Sequence, residues 1–341
     1  MAYRSIVSMA AVALILLVFI AIPSGARPIG VVYGTQGNNL PPPNEVVDLY
    51  KSKNIKAMRL YDPNQAVLQA LKGSNIQLLL DVPNADLQSL ASSPSAANDW
   101  VQRNVKAYVP DVLFKYIAVG NQVIPGDQAQ YVLPAMKNIH SALSSAGLQN
   151  EIKVSTSIAT GREVLEQYSP PSSSRLSSAA STYLGPTVQF LSSNGAPLLV
   201  NLYTYRNYIG DPNHIGTEYA LFTSPTTVIQ DGQYNYQHLF DTIMDAIYVA
   251  LEKLGGSNVT IVVSESGWPS ADGLGASVDN ARTYNQNLIN HVGQGTPRRP
   301  GKAIEAYIFE MFNENQKPQG AEQHFGLFYP DKQPVYQINF P

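Results

Sequence analysis

Residues 260–269 read TIVVSESGWP, a run rich in β-branched residues that ends in a carboxylate, Glu265, followed by an indole, Trp268. Valine and isoleucine favour extended backbone, and a short apolar run without alternation is typical of a strand that is buried on both faces. Such strands occur in parallel sheets that helices cover. The stretch therefore predicts one unit of a repeating β/α fold, with a polar group at the carboxyl end of its strand.

Similar apolar runs recur along the chain and predict eight strands. They are Ile29–Tyr33, Lys56–Tyr61, Ile76–Val82, Tyr116–Val123, Lys153–Ile158, Pro197–Tyr205, Thr260–Ser266 and Ala306–Phe312. Apolar residues at i, i+3 and i+4 predict helices between them, at Asn44–Ser52, Pro63–Leu71, Ala96–Ala107, Ala129–Ala146, Leu239–Leu254 and Val278–His291. A doubly wound sheet also alternates strands and helices, but eight units without a glycine-rich phosphate turn favour closure. We predict an α/β fold of one domain, a (β/α)₈ TIM barrel, with Ser169–Ser178 as a surface loop.

The composition supports a large core and argues against several classes of protein. Hydrophobic residues make up 44% of the 341 residues and charged residues 14%, which argues against a disordered chain. Lys and Arg number 22 against 25 Asp and Glu, without a basic run, so no nucleic-acid partner is expected. The sequence has no cysteine, and its five histidines show no metal spacing, so we expect no disulfide, metal or organic cofactor. A monomer is the default expectation.

The first 26 residues have the pattern of a secretory signal peptide. Arg4 supplies a positive charge, residues 10–22 are apolar and uncharged, and small residues follow at 24–26. A membrane anchor is the alternative, but the apolar stretch is short for about 30 Å of hydrocarbon and ends at Pro23. We therefore expect a secreted, extracellular protein without membrane contact after signal removal, with a mature domain at 27–341. Asn258 begins a glycosylation sequon in that domain.

The carboxyl ends of barrel strands meet at one end of the fold, where active sites lie. Glu265 stands at that end of the predicted seventh strand. A buried, unpaired carboxylate costs on the order of several kcal/mol, so its presence requires either a partner or a function. A structural ion pair in the barrel mouth is one explanation. The adjacent Trp268 favours a catalytic one, because an indole offers a flat apolar surface for a sugar ring.

Further polar and aromatic residues are expected at the same end of the barrel. Glu305 and Glu314 add two acids near the eighth strand, and Lys317 follows them. Clustered acids suit a site that stabilises positive charge, as glycoside cleavage requires. The residues predicted to bind substrate at or beside these strand ends are Tyr33, Asn121, Tyr203, Trp268, Phe312 and Lys317.

Several segments carry a family resemblance. They are Ile29–Gly34 (IGVVYG), Met58–Asp62 (MRLYD), Tyr116–Asn121 (YIAVGN), Val262–Pro269 (VVSESGWP) and Met311–Asn315 (MFNEN), with His324–Phe328 and Tyr336–Phe340 near the end. Through them the chain resembles glycoside hydrolase family 17, the plant endo-1,3-β-glucanases, from Ile29 to Phe340. The resemblance implies a retaining hydrolase of β-1,3-glucan in the apoplast or cell wall, with plant defence among its roles.

The resemblance also assigns roles to single residues. It implies that Glu265 is the nucleophile, that Glu305 and Glu314 are supporting acids, and that Asn121 contacts the sugar 2-hydroxyl. In the family, the residue after that asparagine is the glutamate that acts as acid/base. Here this residue is Gln122, an amide of nearly the same shape without a proton to give. A retaining site places its two carboxyl groups about 5–5.5 Å apart, and we expect the side-chain ends at 122 and 265 to lie at that distance.

Gln122 leaves three interpretations open. The chain is a weakened hydrolase, a non-catalytic β-1,3-glucan-binding homologue, or a substituted form of an active parent. The rest of the site looks intact, which favours weak activity or a substitution over long decay. A fourth possibility, from another class, is a structural wall protein whose acids only form ion pairs, and it predicts no cleft at the strand ends.

Overall fold

The computed structural model describes residues 29–341, so the predicted signal peptide, residues 1–26, lies outside the described part. Within these residues, eight parallel strands close into a barrel in which each strand pairs with its neighbours in chain order and the last strand pairs with the first. These barrel strands are β1 (Ile29–Val32), β2 (Ala57–Leu60), β3 (Gln77–Val82), β4 (Leu113–Asn121), β5 (Lys153–Ala159), β8 (Leu198–Asn201), β11 (Ile261–Ser266) and β14 (Glu305–Ile308). The predicted (β/α)₈ fold is confirmed.

Three short antiparallel hairpins lie outside the barrel. They are β6 (Leu165–Gln167) with β7 (Arg175–Leu176), β9 (Ile229–Asp231) with β10 (Tyr234–Tyr236), and β12 (Gly295–Thr296) with β13 (Arg299–Pro300). The helices are α1 (Pro43–Ser52), α2 (Gln65–Leu71), α3 (Leu87–Ser92), α4 (Pro94–Val101), α5 (Ala129–Ser145), α6 (Ser178–Asn194), α7 (Thr204–Gly210), α8 (Thr217–Ala220), α9 (Leu239–Lys253) and α10 (Val278–His291). Within residues 29–341, no helix has the length and apolarity needed to cross a bilayer.

Strand β11 shows why these sequences form the inner layer of the fold. Its six residues are all buried, and it pairs in parallel with β8 on one side and β14 on the other. Register shifts occur near its carboxyl end, after Val263, in both pairings. Irregular pairing of this kind re-aims side chains at the rim of a barrel. Glu265 lies in this irregular part of the strand.

Two predicted strands end earlier than expected. Strand β8 stops at Asn201 instead of Tyr205, and helix α7 begins at Thr204. Strand β14 stops at Ile308 instead of Phe312. The residues beyond these ends are apolar because the rings of Tyr203, Phe309 and Phe325 pack together edge-on, with centroids 5.4–5.9 Å apart. Their hydrophobicity reports burial at the barrel mouth rather than strand pairing.

The sequence patterns also missed part of the helical layer. Helix α6 contains an internal proline, Pro186, and lacks a clear apolar stripe, so its sequence does not predict a helix. The predicted surface loop Ser169–Ser178 contains a short 3₁₀ helix, Pro171–Ser173, and the strand β7. Ser177 caps α6 by accepting a hydrogen bond from the backbone of Ala180. The segment is therefore the ordered entry into a helix.

Candidate active site

Glu265 is held at the carboxyl end of β11 by three hydrogen-bond donors. The Arg59 guanidinium and the Tyr61 hydroxyl donate to Oε1 at 2.9 and 2.7 Å, and the Tyr203 hydroxyl donates to Oε2 at 2.8 Å. Only 3% of the Glu265 surface is exposed. Hydrogen bonds to a charged group offset the cost of its burial and fix its orientation. The carboxylate is thus presented in one position by groups from the ends of β2 and β8.

Arg59 connects this carboxylate to a second one. Its Nε and Nη2 donate to the two oxygens of Asp81 at 3.1 and 2.7 Å, and its Nη1 also donates to Asn201 at 3.0 Å. Arg59 is fully buried and Asp81 nearly so. Burial raises the pKa of Asp81 to about 6, although the guanidinium acts in the opposite direction. Arg59 therefore fixes Glu265 while being fixed itself by Asp81.

Asn121 and Gln122 stand at the end of β4. The Asn121 side chain accepts a hydrogen bond from Asn201 at 2.9 Å, and its backbone exchanges two bonds with the Asn84 amide, each of 2.9 Å. Gln122 follows with φ 56°, a left-handed conformation, and its backbone N–H donates to Ser157 at 2.9 Å. The Gln122 side chain is exposed. The backbone at this point is fixed, and the amide is free to meet a ligand.

A cleft runs across this end of the barrel in two adjoining sides. One side, here called the Glu265 side, has a volume of about 530 Å³, and the other, the Tyr168 side, has about 660 Å³. Gln122 and Arg206 line both of them. The Glu265 side is lined further by Tyr61, Asp62, Asn84, Glu265, Phe309 and Lys317, and the Tyr168 side by Thr160, Arg162, Tyr168, Tyr203, Asp211 and Ile215.

A second acidic cluster lies beside Glu265, after β14. Lys317 forms ion pairs with Glu310 and with Glu314, the latter at 2.8 Å, and Glu314 also accepts a hydrogen bond from the Gln36 backbone at 2.7 Å. Burial raises the pKa of Glu310 well above its ordinary value; Lys317 opposes this shift and Glu314 adds to it. A Cβ at Gly34 would lie 2.5 Å from these carboxylates, so only glycine fits there. The cluster is packed tightly against the first strand's end.

Of the predicted acids near the eighth strand, the structure brings only Glu314 to the site. Glu305 is the first residue of β14, at the amino end of the barrel, and so cannot be the supporting acid that the resemblance implied. There it pairs with Lys115 at 2.8 Å and accepts a hydrogen bond from Tyr307 at 3.2 Å. Strand β14 ends at Ile308, and Glu310, two residues beyond it at the opposite end of the barrel, stands in the place where Glu305 was expected.

The expected indole platform is also corrected. Trp268 is fully buried, with its ring 4.9 Å from that of Tyr205 and 5.7 Å from that of Tyr208, and its Nε1 donates to Gly275 at 2.9 Å. Phe312 is 1% exposed. Neither ring has a free face for a sugar, because apolar rings at the barrel mouth pack against each other instead. Their role is to support the loops that form the cleft.

The remaining predicted residues lie at or beside the same end of the barrel, and their contacts with a sugar stay predictions. Tyr203 reaches Glu265, Asn121 and Lys317 line the Glu265 side, and Gln122 lines both sides of the cleft. Tyr33 is 4% exposed and meets Phe312 edge-on at 6.3 Å. Burial, with the charge of Glu314, raises its pKa to about 12. A sugar contact by Tyr33 stays a prediction.

Sequence reasoning missed Arg59, Tyr61, Asp81, Glu310 and Arg206. A signal was present for Arg59 and Asp81, because a charged residue within an apolar strand requires a buried partner. The partners come from other strands, so the pattern alone could not pair them. Among the described residues, no group of three or more His, Asp or Glu is arranged to hold a metal ion.

A carboxylate fixed by hydrogen-bond donors in a cleft at the carboxyl end of a closed β/α barrel, with further acids beside it, defines the class of barrel glycoside hydrolases. The profile of the family described as glycosyl hydrolases family 17 matches residues 29–340. The chain belongs to this family.

Individual relatives agree with this assignment. A glucan endo-1,3-beta-glucosidase of Vitis vinifera is 58% identical over 321 residues, which cover 93% of this chain and 92% of that protein. The acidic isoform of glucan endo-1,3-beta-glucosidase from Zea mays is 55% identical over 337 residues, or 98% of each chain. A solved structure of one of two plant beta-glucan endohydrolases with distinct substrate specificities superposes with a TM-score of 0.89. It is 53% identical and covers 92% of this chain and all of that chain.

Proposed function

We propose that this chain is a secreted endo-1,3-β-glucanase-type hydrolase that cleaves β-1,3-glucans of plant cell walls by retaining double displacement, at a rate reduced by Gln122. The observation that carries the proposal is the Glu265 carboxylate, fixed by Arg59, Tyr61 and Tyr203 in a cleft that Gln122 also lines. The names of the Vitis and Zea relatives support the substrate class.

In the first step, a Glu265 oxygen attacks the anomeric carbon of a sugar on the Glu265 side of the cleft. The bond to the glycosidic oxygen breaks, and its electron pair leaves with the sugar on the other side. Arg59 and the two tyrosines hold the carboxylate for attack, which replaces a random encounter with a fixed geometry. The product of this step is a glycosyl ester of Glu265.

Gln122 occupies, in this proposal, the acid/base position of the family. Its amide can hydrogen-bond the departing oxygen but cannot protonate it. General acid catalysis contributes about 10²–10⁴-fold, or about 3–5 kcal/mol of barrier. In the second step water must attack the glycosyl ester, and no base at position 122 activates it. Both steps are slow, but the binding of glucan does not depend on that proton.

Hydrolysis and binding of laminarin, a soluble β-1,3-glucan, test the proposal. We expect weak turnover that is lost in Glu265→Ala, while laminarin affinity persists. Gln122→Glu restores a proton donor, so turnover should rise at least about tenfold. Unchanged turnover in the Gln122→Glu variant would contradict the assignment of position 122. Affinity without any turnover, in either form, would instead leave the non-catalytic glucan-binding interpretation, which the complete donor set around Glu265 does not favour.

The proposal includes export to the apoplast after removal of residues 1–26 and function as a monomer. Its support is the charge, apolarity and small-residue pattern of that segment. Amino-terminal sequencing of the protein recovered from a plant cell medium should begin at Arg27. Retention of Met1 in the recovered protein would contradict it.

A further inference from the structure

Arg206 occupies an unusual position in the cleft. With Gln122, it lines both the Glu265 side and the Tyr168 side. The glycosidic bond that breaks must lie where the two sides meet, because Glu265 attacks a sugar on one side and the leaving sugar occupies the other. Arg206 therefore stands next to the departing oxygen. This argument rests on the proposed function.

The contacts of Arg206 hold its side chain at this place without neutralising its positive charge. Its guanidinium lies 4.6 Å from the centre of the Tyr203 ring, and the Tyr203 hydroxyl is bound to Glu265. Its ion pair with Glu322, at 3.6 Å, joins two side chains that are 47% and 42% exposed. Such an exposed pair contributes little, so the positive charge remains available to a ligand.

The other cations of the cleft are placed differently. Arg59 is bound to Asp81 and Glu265, and Lys317 lies between Glu310 and Glu314. These charges are neutralised by buried acids. Arg162 lines the Tyr168 side alone and not the junction.

We propose that Arg206 is a further catalytic residue, whose fixed positive charge stabilises the negative charge that develops on the departing sugar oxygen. A carboxylic acid at position 122 would remove that charge by proton transfer, but an amide leaves it in place. When the bond between the anomeric carbon and the oxygen breaks, the electron pair stays on the oxygen beside the guanidinium. Solvent water then supplies the proton, and Arg206 keeps its own. A preorganised charge of this kind stabilises a transition state without proton transfer.

Substrates with different leaving groups test this role. Laminarin needs charge stabilisation on a sugar oxygen, whereas 2,4-dinitrophenyl β-laminaribioside releases a stable phenolate. For Arg206→Met we expect kcat on laminarin to fall by about 10- to 100-fold. The burst rate of dinitrophenolate release, which measures the first step alone, should change by less than about threefold, because that leaving group needs no assistance. Arg206→Lys, which keeps the charge, should retain more laminarin turnover than Arg206→Met.

The same substitution in the Gln122→Glu background makes the test specific. Once a proton donor is present, the loss caused by Arg206→Met on laminarin should shrink to a few-fold. Arg162→Met removes an equal charge from the same cleft, away from the junction, and should cost the same factor in both backgrounds. Glu322→Gln serves as a control for the loss of the ion pair between Arg206 and Glu322, and should not reproduce the Arg206→Met pattern. Because Arg206 is half exposed, its variants should have the same thermal unfolding temperature as the unmodified protein.

Equal losses from Arg206→Met on laminarin and on the dinitrophenyl substrate would overturn the role of Arg206. So would equal losses in the Gln122 and Gln122→Glu backgrounds. Absence of laminarin turnover in the Gln122→Glu variant is a different result, and it would overturn the proposed function itself.

Discussion

At the scale of single residues, the proposed function depends on the difference between a carboxyl and an amide at position 122. The two side chains have nearly the same shape, so the backbone that Asn84 and Ser157 fix around position 122 accommodates either. Their difference is one titratable proton. The pH dependence of turnover should therefore reveal which groups still titrate.

We expect laminarin turnover to fall as the pH drops through about 6. Burial raises the pKa of Asp81 to about 6, so Asp81 is ionised and pairs with Arg59 above that pH and is protonated below it. Protonation weakens the pairing that holds Arg59 against Glu265. Gln122 does not titrate, so no alkaline limb should arise from position 122. The Gln122→Glu variant should gain one, because its acid must stay protonated.

The rate profiles of the unmodified protein, Gln122→Glu and Asp81→Asn check this expectation. An alkaline limb that is identical with glutamine and glutamate at position 122 would contradict it. The stability effect of Asp81 has the opposite sign. Its folded-state pKa lies above that of free aspartate, about 3.9, so its contribution to the free energy of unfolding decreases as the pH rises through this window.

Single residues also show which features of the site the sequence predicts and which it does not. Glu265 was predictable because a carboxylate that ends an apolar strand has few structural reasons to be there. Its exact partners were not, since Arg59 and Tyr203 come from strands about 60 to 200 residues away and only barrel closure brings them together. Arg206 carried no signal, because its meaning lies in the cleft it lines.

At the scale of elements, apolar residues near the rim of the barrel are of two kinds. Some pair within the strands, and others pack their side chains together in the barrel mouth. The sequence predicted the strands well where apolar runs are short and bounded, as in β3 and β11. It extended β8 and β14 too far, since an aromatic residue at a strand's end looks the same whether it continues the ladder or folds back into the mouth. For the same reason Trp268 was expected to face a sugar.

Trp268 should act on stability rather than on substrate affinity. Its indole fills a buried space between Tyr205, Tyr208 and Tyr284. Trp268→Ala should lower the free energy of unfolding by about 3–5 kcal/mol, the usual cost of removing a large buried ring. Trp268→Phe should lose less. Chemical denaturation and laminarin KM would be measured together, and a large rise in KM without a loss of stability would contradict the buried packing role.

At the scale of the whole molecule, the two ends of the barrel have different roles. Glu265 and Gln122 line the cleft at the carboxyl end, and Glu310 pairs with Lys317 in the same lining, although Gln122, Glu265 and Glu310 are far apart in sequence. Glu305 and Lys115 form an ion pair at the amino end, where residues are expected to serve stability and not catalysis. The direction of each strand thus decides whether an acid belongs to the site. Glu305, at the start of β14, lies at the amino end, whereas Glu310, just beyond its end, lies at the carboxyl end.

Glu305→Gln tests this division between the ends. The Glu305 side chain is 2% exposed and that of Lys115 is 27% exposed, so loss of the pair should cost about 1–3 kcal/mol of stability. Laminarin turnover per folded molecule should stay within about twofold, since the pair is remote from the cleft. Thermal unfolding and steady-state rates give both values. A tenfold loss of turnover at unchanged stability would return Glu305 to the site.

The most direct test of the account is mass spectrometry of the protein during reaction with 2,4-dinitrophenyl β-laminaribioside. The activated substrate needs no acid for the first step, and Gln122 cannot activate water for the second. The account predicts that a covalent disaccharide adduct accumulates, that peptide mapping places it on Glu265, and that azide, which needs no base, removes it. Absence of an adduct during turnover, or its attachment to another residue, would contradict the central claim.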